Sequence, residues 1–154
     1  MTNNKVAVVL GSKSDIGIAE KAEKILREFG VGFETHIMSA HRTPNKVKKF
    51  AKEAENNGFA VIIAIAGLSA HLPGVISSMT TLPIIGVPVG CGPLSGEDAL
   101  YSIVQMPSGI PVASVGIDNG TNAALFAVEI LAVADTTLRD KIRSYRAQFG
   151  DIEA

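Results

Sequence analysis

Three apolar runs decide most of what this chain can become. Lys5-Val-Ala-Val-Val-Leu10, Phe59-Ala-Val-Ile-Ile-Ala-Ile65 and Pro83-Ile-Ile-Gly-Val87 are short, nearly continuous and rich in β-branched residues. A strand covered on both faces has no polar side to show, so runs of this kind suit a buried parallel sheet. The intervening segments change period. Ile16 to Phe29 spaces Ile18, Ala22, Ile25, Leu26 and Phe29 as one face of a helix, and Gly30 follows in the position that closes it. Val31 to Met38 reads as a second strand and Asn45 to Asn57 as a second helix. Pro83 to Val87 is a short fourth strand, Pro88 to Gly96 an irregular loop, Glu97 to Gln105 a helix and Pro111 to Ile117 a fifth strand. Strands alternating with helices imply a doubly wound parallel sheet with right-handed crossovers, and residues 1–154 read as a single α/β domain.

The last two helices are unlike each other. Thr121 to Ala134 is apolar almost all the way round, which implies burial on more than one face; Thr136 to Phe149 is charged and amphipathic and belongs at the surface. Hydrophobic residues make up 47% of the chain and charged ones 19%, against about 25% charged in ordinary soluble domains. The apolar surplus points to subunit contacts, hence a homo-oligomer. A net charge of −1 supplies no basic field for nucleic acid. The lone Cys91 excludes an intramolecular disulfide framework and a multi-cysteine zinc site, and no histidines stand at metal-ligand spacing. Met1 to Lys5 leads into the first strand without a signal-peptide pattern. No apolar run reaches the roughly 18 residues of a membrane span. A cytoplasmic protein is expected.

Parallel strands release their exit loops on one edge, and three of those loops carry chemistry. In Gly11-Ser-Lys-Ser-Asp15, Gly11 allows close backbone approach, and Ser12 and Ser14 bring hydroxyls to a helix start that attracts anions. Asp15 reads equally as an N-cap or as an acceptor for ribose hydroxyls. The stretch lacks the second glycine and Lys-Ser/Thr of a Walker A loop. In Ser39-Ala-His-Arg-Thr-Pro44, a histidine, the residue type suited to moving protons near neutral pH, stands at position 41 beside Arg42, a permanent planar cation suited to phosphate. The alternative is a plain turn, with Ser39 or Thr43 capping a helix that Pro44 begins. In Ala66-Gly-Leu-Ser-Ala-His-Leu-Pro-Gly74, His71 either meets a ligand or satisfies a backbone carbonyl. His36, inside the second strand, reads as structural. Gly90-Cys-Gly-Pro-Leu-Ser-Gly96 imitates a dinucleotide fingerprint, but Ser95 stands where its third glycine belongs and Pro93 stiffens the turn. The third strand ends without an acid, so a receiver-type phosphorylation site is excluded.

Taken in order, Gly11–Asp15, Ser39–Pro44, Ala70-His-Leu-Pro-Gly74, Gly86-Val-Pro-Val89 and Ser102-Ile-Val-Gln-Met-Pro107 resemble the N5-carboxyaminoimidazole ribonucleotide mutase family of purine synthesis. The likeness spans about Lys5 to Ala134. It implies a three-layer α/β/α sandwich, flavodoxin-like or Rossmann-like, assembled as a homo-octamer. It also implies a nucleotide substrate, no metal and no cofactor. By the same resemblance Ser12 and Arg42 hold phosphate and Asp15 the ribose, with Ser14 and Ser39 near them. His41 is then the general acid–base, while Gly67, Ser69, Ala70, His71 and Leu72 line the base pocket. The family's usual Gly-Gly-Ala-Ala-His is here Gly67-Leu-Ser-Ala-His71, with the bulkier Leu68 in the pocket wall. The related carboxylase branch carries an asparagine-containing stretch where this chain has His71-Leu-Pro-Gly74, which sides with the mutase type. The implied reaction moves a carboxylate from N5 to C4 of an aminoimidazole through trapped CO2. Direct carboxylation of aminoimidazole ribonucleotide and a nucleotide-binding module without turnover are the competing readings.

Overall fold

The computed structural model describes residues 5–150. The entry stretch Met1 to Asn4, read as free of a signal pattern, lies outside the described residues, as does 151–154. Five parallel strands, β1 (Lys5–Leu10), β2 (Phe33–Ile37), β3 (Phe59–Gly67), β4 (Ile84–Val89) and β5 (Ala113–Ser114), pair in the order β2-β1-β3-β4-β5. That is the flavodoxin-like order, whose direction reverses between β1 and β3. The helices are α1 (Ile16–Phe29), α2 (Pro44–Glu53), α3 (Leu72–Ser77), α4 (Glu97–Val104), α5 (Gly120–Ala132) and α6 (Thr136–Ala147).

Alternation along the central strands feeds two cores. Val6, Val8 and Leu10, with Ile63, Ile65 and Val87, pack against α1 and α5. Ala7 and Val9, with Ile62, Ala64 and Ile84, pack against α2, α3 and α4. Both sheet faces are therefore dry, as the unbroken apolar runs required. Helix α5 crosses α1 so closely that a Cβ on Gly120 would stand 2.2 Å from the Ile18 carbonyl oxygen.

Several boundaries differ from the sequence reading, each for a local reason. Val31 is not in β2, because its N–H bonds back to the Leu26 carbonyl (2.9 Å) and closes α1. Helix α2 stops at Glu53, and the chain unwinds in turns to Gly58, whose φ is +84°. Strand β3 runs on to Gly67 because Ala66 and Gly67 pair with Pro88 and Val89. Pro88 is thus in a strand, not at the head of a loop. The fifth strand shrinks to two residues. The carbonyls of Gly86 and Pro88 both face β5, accepting N–H groups of Val115 (3.3 Å) and Asp118 (2.9 Å). Pro88 would have to donate on that side and has no N–H, so the ladder lapses. Helix α5 buries one face only within this chain: Ala123, Ala124, Ala127 and Val128 are enclosed, but Phe126 is 38% exposed and Val133 more so. Among the described residues, no helix is long and apolar enough to cross a membrane.

Candidate active site at the sheet switch point

The exits of β1, β2, β3 and β4 converge on one cleft of about 640 Å³. Ser12, Ser14, Asp15, Ser39, His41, Arg42, Gly67, Ser69, His71 and Leu72, all singled out from the sequence, line it. Ala70 does not; its side chain is buried in the core beneath α3. Cys91, at the exit of β4, joins the wall. Sequence reasoning passed it over, although the rule that parallel strands share an exit edge was signal enough.

The β1 exit is a short 3₁₀ turn, Lys13–Asp15, that leads into α1. Ser12 caps this turn, its Oγ accepting the Ser14 N–H at 3.4 Å. Asp15 makes no side-chain cap bond, which removes the N-cap reading. Instead Asp15 is a buried residue, 5% exposed, and Ser14 Oγ donates to its Oδ1 at 2.9 Å. Burial pushes the Asp15 carboxyl above its ordinary range; the Ser14 hydroxyl, the Ser12 backbone and the Arg42 cation pull the other way, and Asp118 adds to the rise.

The β2 exit folds on itself. Thr43 Oγ1 accepts the Ser39 N–H (2.9 Å) and donates to the Ser39 carbonyl (3.1 Å), while Ser39 Oγ accepts the Arg42 N–H (3.2 Å). Neither hydroxyl caps α2, although Pro44 does begin it. The closed turn projects His41 and Arg42 toward opposite neighbours. Arg42 Nη2 donates to the Gly11 carbonyl at 3.4 Å, so the cation lies over the β1 exit. His41 Nε2 meets His71 Nδ1 at 2.7 Å with the rings nearly perpendicular, 82°. One of those facing nitrogens carries hydrogen and the other offers its lone pair. The sequence placed His71 only as a pocket-lining residue; the structure pairs it with His41.

The β3 exit is strained. Leu68 has φ +54° and stands 52% exposed on the cleft wall. The left-handed region costs an L-residue about 1–2 kcal/mol. His36 packs tilted against Phe50 and edge-on to Phe59 (5.0 and 6.0 Å between centroids) and does not line the cleft. Burial holds its imidazole below the usual range, against the pull of Glu34. The Gly90 to Gly96 stretch is a turn whose first N–H is taken by Asp118 Oδ1 at 2.8 Å, leaving no open dinucleotide cradle there. Among the described residues, no three His, Cys, Asp or Glu side chains are grouped to hold a metal ion.

Fold and cleft define a class: a flavodoxin-topology α/β protein whose switch-point crevice sets a guanidinium and two imidazoles along one rim. Within that class the chain belongs to the family described as AIR carboxylase, whose model matches residues 5–151. It is 54% identical over 140 residues to the N5-carboxyaminoimidazole ribonucleotide mutase of Pyrococcus horikoshii, covering 91% of this chain and 79% of that protein. The mutase of Methanocaldococcus jannaschii is 55% identical over 141 residues, 92% of this chain and 87% of the other. A phosphoribosylaminoimidazole carboxylase of Candida albicans is 50% identical over 140 residues, but these are only 25% of its length. The crystal structure of Treponema denticola PurE superposes with a TM-score of 0.86 at 35% identity, over 94% of this chain and 90% of that one.

Proposed function

We propose that this chain is an isomerase of purine biosynthesis, moving the carboxylate of N5-carboxyaminoimidazole ribonucleotide from N5 to C4. Mutases about half identical over nine-tenths of the chain support the reaction. The contact that carries the residue assignment is the 2.7 Å pairing of His41 with His71 beside Arg42. With Nε2 engaged, His41 Nδ1 is the ring nitrogen left for a substrate. As the imidazolium, His41 delivers a proton to N5. The N–C bond breaks, its electrons stay on nitrogen, and CO2 is released. The ring's enamine carbon C4 attacks the CO2, and neutral His41 removes the C4 proton. One residue is acid and then base, and the proton balance closes. No electron acceptor enters these steps.

Arg42 and Ser12 hold the phosphate, the guanidinium as a fork and Ser12 with the turn that opens α1. Asp15, with Ser14 and Ser39 around it, takes the ribose hydroxyls. Gly67, Ser69, His71 and Leu72 shape the base pocket, and Ala70 supports it from beneath. The protein's own contribution is alignment and proton transfer, with CO2 kept beside C4. The same reading makes residues 1–154 one domain of a cytoplasmic homo-octamer, supported by the unenclosed apolar face of α5 around Phe126. Light scattering at micromolar protein tests that assembly, and a monomer mass would refute it.

The deciding experiment supplies purified protein with N5-carboxyaminoimidazole ribonucleotide in bicarbonate-poor buffer, and separately with aminoimidazole ribonucleotide and bicarbonate at the same concentration as that substrate. Rapid C4-carboxylated product from the first alone is expected, and largely abolished by His41→Asn with nucleotide binding retained. Equal product from the second alone would instead assign direct carboxylation.

A further inference from the structure

Two interlocks tie the exits of β3 and β4 together beside the cleft. A Cβ on Gly67 would meet Cys91 Sγ at 2.6 Å, and a Cβ on Gly92 would meet Leu68 Cδ2 at 2.6 Å. Gly92 itself has φ +70°. Leu68 therefore reaches across to the next loop, where only a glycine leaves room for it. Its position is poor for folding: a strained backbone and a half-solvated isobutyl group that joins neither core. Strain that packing does not explain is a pointer to a role at a site. Together with Cys91, Leu68 contributes lining that offers carbon and sulfur but no charge to the same cleft that His41, His71 and Arg42 line.

We propose that Leu68 is a positioning residue that retains the CO2 freed during carboxyl transfer. The inference rests on the function proposed above. Once the N–C bond breaks, the cleft holds a small neutral molecule with no hydrogen to donate and no net charge to grip. Only excluded volume keeps it near C4. The Leu68 side chain, spanning two loops, closes the flank where a glycine would leave a gap.

The test uses substrate labelled in its N5-carboxylate and measures two products, released labelled CO2 and C4-carboxylated nucleotide, after subtracting loss without protein. Leu68→Gly accepts φ +54° without strain, and Leu68→Ala keeps the strain while losing the reach to Gly92. Both variants are expected to raise the ratio of released CO2 to carboxylated product about tenfold, the low end of what an apolar contact discriminates. Added dissolved CO2 should restore product in both. A parent-like ratio, or slower turnover with no extra CO2 released, would overturn the role. A leak in the glycine variant alone would place the effect in the backbone and also overturn it. If the parent chain transfers no carboxylate, the function itself fails; normal transfer by the parent with an unchanged ratio in the variants removes Leu68 only.

Discussion

Replacing His71 by phenylalanine separates orienting a proton carrier from being one. The substitution keeps a planar ring at the 4.9 Å perpendicular contact with His41 and deletes only the 2.7 Å hydrogen bond. A neutral hydrogen bond of this kind is worth about 0.5–1.5 kcal/mol net. If that bond serves to aim His41 in the transition state, kcat should fall about 2- to 13-fold, with KM near the parent value. Removing the carrier itself is more costly: His41→Asn should lower kcat by about 10²–10⁴. Steady-state assays of carboxyl transfer, following the imidazole absorbance with each variant at saturating nucleotide, read both numbers. Equal losses in the two variants would refute the positioning argument, because imidazole 71 would then carry the proton as well.

Two further outcomes follow from the rim. Arg42→Met removes a guanidinium reaching over the β1 exit; loss of its charged hydrogen bonds to phosphate, about 1.5–3 kcal/mol, should raise the nucleotide Kd by calorimetry about 10- to 100-fold while leaving the melting temperature close to parent. Asp15 has its carboxyl raised in the fold by burial, so its contribution to stability is present below the unfolded carboxyl pKa and lost as pH rises through the folded value. Asp15→Asn should therefore gain melting temperature over the parent at pH 7 but not at about pH 3, and should bind nucleotide less tightly; an equal gain at both pH values would contradict the burial argument.

The central sheet was legible because its strands have no polar face to hide, and Lys5–Leu10 fell where the apolar run placed it. The margins were not, because they depend on single hydrogen bonds. Nothing in Val31 itself says that its N–H will close α1, and Pro111 to Ile117 looks like a strand until Pro88 is seen to lack the donor it would need. The cleft was legible loop by loop, since parallel strands must share an exit edge. What joins the loops was hidden. His41 and His71 are thirty positions apart, and Leu68 meets Gly92 only because β3 and β4 end in register. Asp15 was recognised as a candidate, but whether it capped a helix or sat buried under Ser14 depended on a 3₁₀ turn that periodicity does not encode.

Pro88 has a further consequence for how safely this chain can be made in quantity. A sheet normally leaves a row of donors and acceptors at its border, an open template on which other chains can stack into fibres. Here the β5 border is blunted: its outermost strand pairs over two residues, and the β4 acceptors behind it are already occupied by Val115 and Asp118. An intruding strand would find little of a row to copy on that side, so edge-on-edge stacking of crowded nascent chains is confined to the opposite border, where β2 stands outermost.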